Sequence, residues 1–243
     1  MAVSQRVVSL VPSITETVAV SAPGVLVGVT EYCTHPPDLN VPRVGGSKYP
    51  DVAAVLALRP DLVLANEEEN RREDVAALER AGIPVWTTPA AATVPEALES
   101  LRRMLVDGLH VEEPAWLVRA RAEWTGPPPP SRATAITCVW RRPWIVLGRD
   151  TFAGDVLRRI GIGNAYAAHP QRYPRPPLAE LHAVLGEHRA DLVVLPDEPY
   201  AFSATDGPEA FPETRCALVS GRHLTWWGPS LLEARQVLAP RLP

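Results

Sequence analysis

Two kinds of residue in this chain have the types and spacing to do chemistry. The first is Glu31-Tyr32-Cys33-Thr34-His35, where a soft thiol and an imidazole lie two apart beside an aromatic ring. Cys33 and His35 could together give two ligands to a transition metal. A closed site needs two more, and there is no CxxC or HxxxH partner; Cys216 and His223 would serve only if folding brought them close. A buried, inert Cys33 is the simpler reading. The second is aromatic. Trp140-Arg141-Arg142-Pro143-Trp144, Trp226-Trp227-Gly228-Pro229 and Tyr173-Pro174 set large rings among Gly, Pro and Arg, as in loops. Such rings more often make a binding platform than a core. Arg141, Arg142 and Arg149 would meet carboxylates or amides on the rim of a ligand.

Other candidates are weaker. Glu67-Glu68-Glu69 follows a strand-like run, where ligand-facing groups are expected, although acids also suit the start of the next helix. Gly45-Gly46-Ser47-Lys48-Tyr49 lacks phosphate-loop spacing and reads as a tight turn. No GxSxG, HExxH, P-loop or GxGxxG motif occurs, so the residues give no reason to expect an enzyme.

These residues need elements to position them. Short apolar runs at Arg6–Val11, Val25–Val29, Asp61–Ala65, Pro84–Thr87, Thr134–Val139, Trp144–Leu147, Asp191–Leu195 and Cys216–Val219 predict buried strands. Helical patterns between them, at Val52–Leu58, Asn70–Ala81, Pro95–Leu105 and Thr151–Ile160, predict α/β architecture. Ser13-Ile14-Thr15-Glu16 predicts a capped helix start. Arg59–Glu68 resembles Arg189–Glu198 at an offset of 130, an internal echo that predicts two lobes. The expected division is an N-terminal lobe over 1–105, a connecting helix and proline run over 106–132, and a C-terminal lobe over 133–243. The run Pro127–Pro130 reads as an extended linker.

Composition narrows the partners. The chain has 243 residues, a net charge of −4, a single lysine and 23 arginines. Without a basic run, nucleic acid is not an expected partner. No stretch of about 18 apolar residues exists to insert into a membrane. The start shows no signal peptide and the three cysteines have no framework spacing, which predicts a cytoplasmic location.

The ordered set Arg6–Glu16, Val27-Gly28-Val29 with Tyr32 and Pro36-Pro37, Arg43-Val44-Gly45-Gly46, Leu58–Val63 and Ala81–Val85 resembles the vitamin B12- and iron-siderophore-binding proteins of ABC importers, the helical-backbone metal receptors. The resemblance is good over 6–105 and looser over 134–238. It implies two α/β lobes with mainly parallel sheets, joined by a single long helix within Pro95–Trp124, with a ligand cleft between the lobes. It also implies a non-catalytic binding protein for a metal-containing tetrapyrrole or chelate, a corrinoid such as cobalamin first among them, with no cofactor required.

Position by position, Tyr32, Trp144 and Tyr173 match corrin-stacking aromatics, and Trp226 and Trp227 fall in a contact loop. The expected ligand set is Tyr32, His35, Tyr49, Glu67, Trp140, Arg141, Trp144, Tyr173, Trp226 and Trp227, with Cys33 and His35 as the metal candidates. Permease docking is doubtful: the family's docking glutamate would fall at Ala53, and its counterpart at or near Ala183, with Glu180 a shifted substitute. Two readings stand beside this one. They are a cytoplasmic metal-dependent enzyme or metal-handling accessory using Cys33 and His35, and a conventional importer subunit whose start is mis-assigned.

Overall fold

The computed structural model describes residues 6–243, which form two compact units. The first comprises the chain through Ala90, Leu98–Arg121 and Trp227–Pro229; the second comprises Ala91–Ala97, Ala122–Trp226 and Ser230–Pro243. In the first, β1 (Val7–Ser9), β2 (Leu26–Val29), β3 (Leu62–Asn66) and β4 (Val85–Thr88) form a wholly parallel sheet in the order β2-β1-β3-β4. Both β1 and β3 are buried along their whole length, as expected of central strands covered on both faces. Helices α1 (Pro12–Ser21), α2 (Val52–Ala57) and α3 (Arg72–Arg80) connect them. Val8, Leu10, Val44, Val55, Val63 and Leu78 form one core cluster.

The second unit repeats this plan. β5 (Ala133–Trp140) pairs in parallel with β7 (Ile162–Asn164) and β8 (Leu192–Pro196), and β8 with β9 (Cys216–Val219), while β6 (Ile145–Val146) adds a short antiparallel edge. The order β7-β5-β8-β9 is the first unit's order in new strands. Offset by 130, β3 and β8 both take the third place and are followed by acidic loops. The echo is therefore a repeat of topology. Helices α6 (Phe152–Arg159), α7 (Leu178–Gly186), α8 (Gly221–Thr225) and α9 (Leu231–Leu238) complete it, over a core that includes Ile136, Val193, Leu195, Leu181 and Phe211.

Two local expectations need correction. Ser13 does not cap α1: the helix begins at Pro12 with Val11 before it, because proline's fixed φ suits the first helical position. The connection is not one uninterrupted helix either. Helix α4 (Val94–Arg103) runs into a π turn (Met104–Gly108) and stops, and α5 (Ala115–Trp124) starts afresh. Gly108 weakens the helix, and His110 then takes a positive φ of 57°. A Cβ on Gly108 would lie 2.9 Å from the Trp86 ring, so the π turn presses backbone against indole.

A compact ion cluster ties down the start of α4 in the second unit. The Asp155 carboxylate accepts from the Val94 amide at 2.8 Å and pairs with Arg158 and Arg159. Arg159 in turn donates to the carbonyls of Trp124 and Gly126.

Candidate functional site

In open parallel sheets ligands are bound outside the carboxyl ends of the strands, where the order reverses. Both units have that reversal, beside β1 and β3 in one and beside β5 and β8 in the other. The exposed aromatics gather at these edges. Tyr32 (64% exposed) follows β2, Tyr49 (69%) lies on the loop between β2 and α2, Trp140 (41%) ends β5, and Tyr173 (40%) follows β7. Covering any such ring with a flat ligand removes its apolar surface from water, which is favourable.

In the first unit, Asn70 fastens the edge. Its side chain accepts from the Asn66 amide at 2.8 Å and donates to the carbonyls of Ser47 (2.8 Å) and Leu10 (3.3 Å). The end of β1, the loop bearing Tyr49 and the end of β3 are thereby held together. Lys48 donates to the Glu68 carbonyl at 2.9 Å across the same two loops. The Arg71 guanidinium lies 4.6 Å over the Tyr49 ring, and Tyr32 lies across Gly46, 3.2 Å from where a Cβ would be.

Burial pushes the Glu69 carboxyl up to about 7, the neighbouring Glu68 adds to this, and Lys48 opposes it. A raised carboxyl stabilises the fold while it is protonated and loses that contribution on ionisation. Stability should therefore decline as pH rises from the group's ordinary 4.5 to about 7. Denaturant titrations of the wild type and Glu69→Gln across that range check this: the variant should lack the decline, and parallel curves would contradict it.

The metal expectation at Cys33 and His35 is corrected. Cys33 is fully buried, its thiol 3.1 Å from both Thr15 Oγ1 and Thr30 Oγ1, because the turn beginning at Thr30 folds the side chain inward. Burial raises its pKa, the opposite of what a thiolate ligand needs. His35 Nδ1 lies 3.0 Å from the hydroxyl of Thr34. Among the described residues, no three His, Cys, Asp or Glu side chains are grouped to hold a metal ion.

Glu67 serves a structural tie: its carboxylate accepts from the Ala90 amide at 3.2 Å. Its counterpart at an offset of 130, Asp197, accepts from the Gly221 amide at 2.6 Å. In each unit, the acid after the third strand thus holds the chain that leaves the fourth.

In the second unit Trp140 meets Tyr200 edge-on, with centroids 5.6 Å apart. Trp144 stacks on Phe202 at 6.0 Å and meets Phe211 edge-on at 5.3 Å, so much of its surface is spent on the core. Arg141 lies 5.4 Å from the Trp144 ring and is clamped by Asp206 and Glu209. Trp226 and Trp227 are 7% and 6% exposed, and Trp226 Nε1 donates to Glu198 at 2.9 Å. The expected place of Trp226 and Trp227 in a binding platform is therefore corrected. Trp226 and Trp227 are buried in different units, and only Trp140 offers a substantial free surface. Beside Trp227 the backbone is closely packed within the first unit: a Cβ on Gly228 would lie 2.7 Å from Thr17 Oγ1.

Tyr173 lines a depression of about 580 Å³ with His169, Gln171, Arg175, Glu180 and prolines. Composition gave no sign of it, because it depends on how residues 171–174 pair with β6. Val146 donates to Pro174 at 3.1 Å and Gly148 to Arg172 at 2.7 Å, and Asn164 donates to the carbonyls of Leu147 and Gly148. A Cβ on Gly148 would collide with the Gln171 carbonyl oxygen. Gly148→Ala should displace this wall and lower stability by about 1–3 kcal/mol. Thermal melts check it, and an unchanged midpoint would contradict the packing.

Residues 7–106 match the periplasmic binding protein family. Over 100 residues the chain is 35% identical to an ABC transporter substrate-binding lipoprotein of Bacillus subtilis, YvrC, spanning 40% of this chain and 32% of that protein. It is 29% identical over 156 residues to the vitamin B12-binding protein of Salmonella choleraesuis, spanning 64% of this chain and 50% of that one. The chain thus spans about a third to a half of the curated relatives it matches. Among solved structures, the periplasmic heme-binding protein RhuT of Roseiflexus superposes with a TM-score of 0.78 at 21% identity, covering 98% of this chain and 96% of that one. The periplasmic vitamin B12 binding protein BtuF of Vibrio cholerae superposes with a TM-score of 0.74 at 18% identity, with the same coverage. These superpositions establish a shared fold.

Proposed function

We infer that this chain, whose residues 7–106 match the periplasmic binding protein family and whose fold over nearly its whole length is shared with the RhuT and BtuF structures, is a non-catalytic binding protein for a metal chelate. The observation that carries the reading is the placing of its exposed aromatics. Tyr32, Tyr49, Trp140 and Tyr173 all lie at the carboxyl edges of parallel sheets. Rings so placed cover an extended planar ligand by stacking and apolar burial and need no reactive group. A metal-containing tetrapyrrole has that shape, and a corrinoid is the leading member of the class. The relatives named for vitamin B12 support the corrinoid, and the fold shared with heme-binding proteins supports the wider class. The metal is cargo within the chelate, in keeping with the burial of Cys33.

Docking to an importer is a separate matter. Ala53 and Ala183 stand exposed on α2 and α7 and offer no carboxylate for an ion pair. Equilibrium dialysis of the purified chain against cyanocobalamin, and separately against hemin, tests the binding reading. Retention of either near one equivalent is expected; retention of neither rejects it.

A further inference from the structure

Any chelate bound at these edges carries a fringe of side groups, and the charged residues beside the aromatics decide which fringe is accepted. In the first unit the cations beside Tyr32 and Tyr49 are already engaged. Arg43 donates to the carbonyls of Thr30 (3.1 Å), Cys33 (2.8 Å) and Leu39 (3.4 Å). Lys48 reaches the Glu68 carbonyl. Arg71 makes a two-point pair with Asp74 at 2.8 Å and a further pair with Glu73 while covering Tyr49. The same loops carry Glu31, Asp38, Glu67, Glu68 and Glu69.

The second unit repeats the device at its largest aromatic cluster. Arg141, beside Trp144, is held by both Asp206 and Glu209, and Tyr200 donates to Asp206 at 2.7 Å. Arg149 is paired with Asp150. Exposed guanidinium groups remain at Arg142 and at Arg175, the latter sharing its depression with Glu180.

A ligand carboxylate at the first edge would have to displace a guanidinium from its own acceptors and approach several carboxylates. An amide meets neither obstacle, because its N–H donates to a carboxylate. We propose that the chain selects a chelate whose fringe is amide, or otherwise uncharged or cationic, and rejects the same macrocycle carrying free carboxylates. The proposal rests on the binding reading above and names the ligand class within it.

The test uses two matched pairs, so that fringe and macrocycle are varied separately. Dicyanocobinamide is compared with dicyanocobyrinic acid, which carries carboxylates in place of the amides. Hemin is compared with its bis-amide, in which both propionates are converted. Absorbance titration of the full chain at pH 7.5 should give the amide member of whichever pair binds an affinity about tenfold higher or more. Discrimination should narrow severalfold in the variant combining Glu67→Gln, Glu68→Gln and Glu69→Gln, whose melting curve checks that it folds. Equal or tighter binding of the carboxylate member overturns the proposal and leaves the binding reading intact. So does a combined variant that folds and binds but discriminates as the wild type does. Binding of no member of either pair overturns both.

Discussion

Asp155→Ala will destabilise the protein by about 3 kcal/mol or more, the largest stability effect expected of a single polar substitution here. The carboxylate is buried and receives the Val94 amide, Arg158 and Arg159 together. Its removal leaves Arg159, itself buried, without its carboxylate and the first turn of α4 without an acceptor. Burial by itself would raise the Asp155 carboxyl, but hydrogen bonds from Arg159, Val94 and Arg158 outweigh it and hold the group below its ordinary value. A depressed carboxyl stabilises the fold above the unfolded pKa, and that contribution is lost as pH falls through the folded one. Wild type and Asp155→Asn should therefore differ by a constant margin at neutral pH and converge below about pH 4. Urea unfolding across that range measures it, and a margin that persists in acid would show that the ion cluster is not its source.

Replacing Trp140 and Tyr173 together with alanine will weaken chelate binding by about 10- to 100-fold. Each ring is worth roughly 1 kcal/mol or somewhat more when a ligand covers it, and melting curves separate that loss from any change in folding stability. The pair Tyr32→Ala and Tyr49→Ala should act in the same direction. Trp226→Ala is the informative contrast. That indole is buried and bonded to Glu198, so its loss should lower the melting temperature while leaving less mark on affinity. Dialysis-based affinities set beside melting curves separate the two outcomes; equal affinity losses for Trp140→Ala and Trp226→Ala would contradict the division drawn here.

Much of the fold was legible because parallel strands announce themselves. Val7-Val8-Ser9, Leu62–Ala65 and Leu192–Leu195 are apolar runs closed by turn residues, and each lies within a central strand. The repeat at 130 was legible because strand, turn and acid recur together. β7 escaped notice: Ile162-Gly163-Asn164 is three residues long with one strong strand former, and only its pairing with Ala133–Ala135 makes it a strand.

The site was read unevenly for a similar reason. Tyr32, Tyr49 and Tyr173 are exposed on loops, and Trp140 is exposed at the last position of β5. Trp226 and Trp227 share a loop setting yet are buried, Trp226 with its indole nitrogen donating to Glu198. Arg141 could not be read as sequestered, because its acceptors lie 65 and 68 positions away in sequence, at Asp206 and Glu209.

The central claim is that ligand is held by the exposed rings at the carboxyl edges. Tryptophan fluorescence during titration with dicyanocobinamide reads this directly, since a corrin stacked near Trp140 quenches its emission. The expected result is saturable quenching that ends near one equivalent in the wild type and is largely lost in Trp140→Ala. Saturable binding by dialysis with quenching unchanged in Trp140→Ala would place the ligand elsewhere and contradict the account.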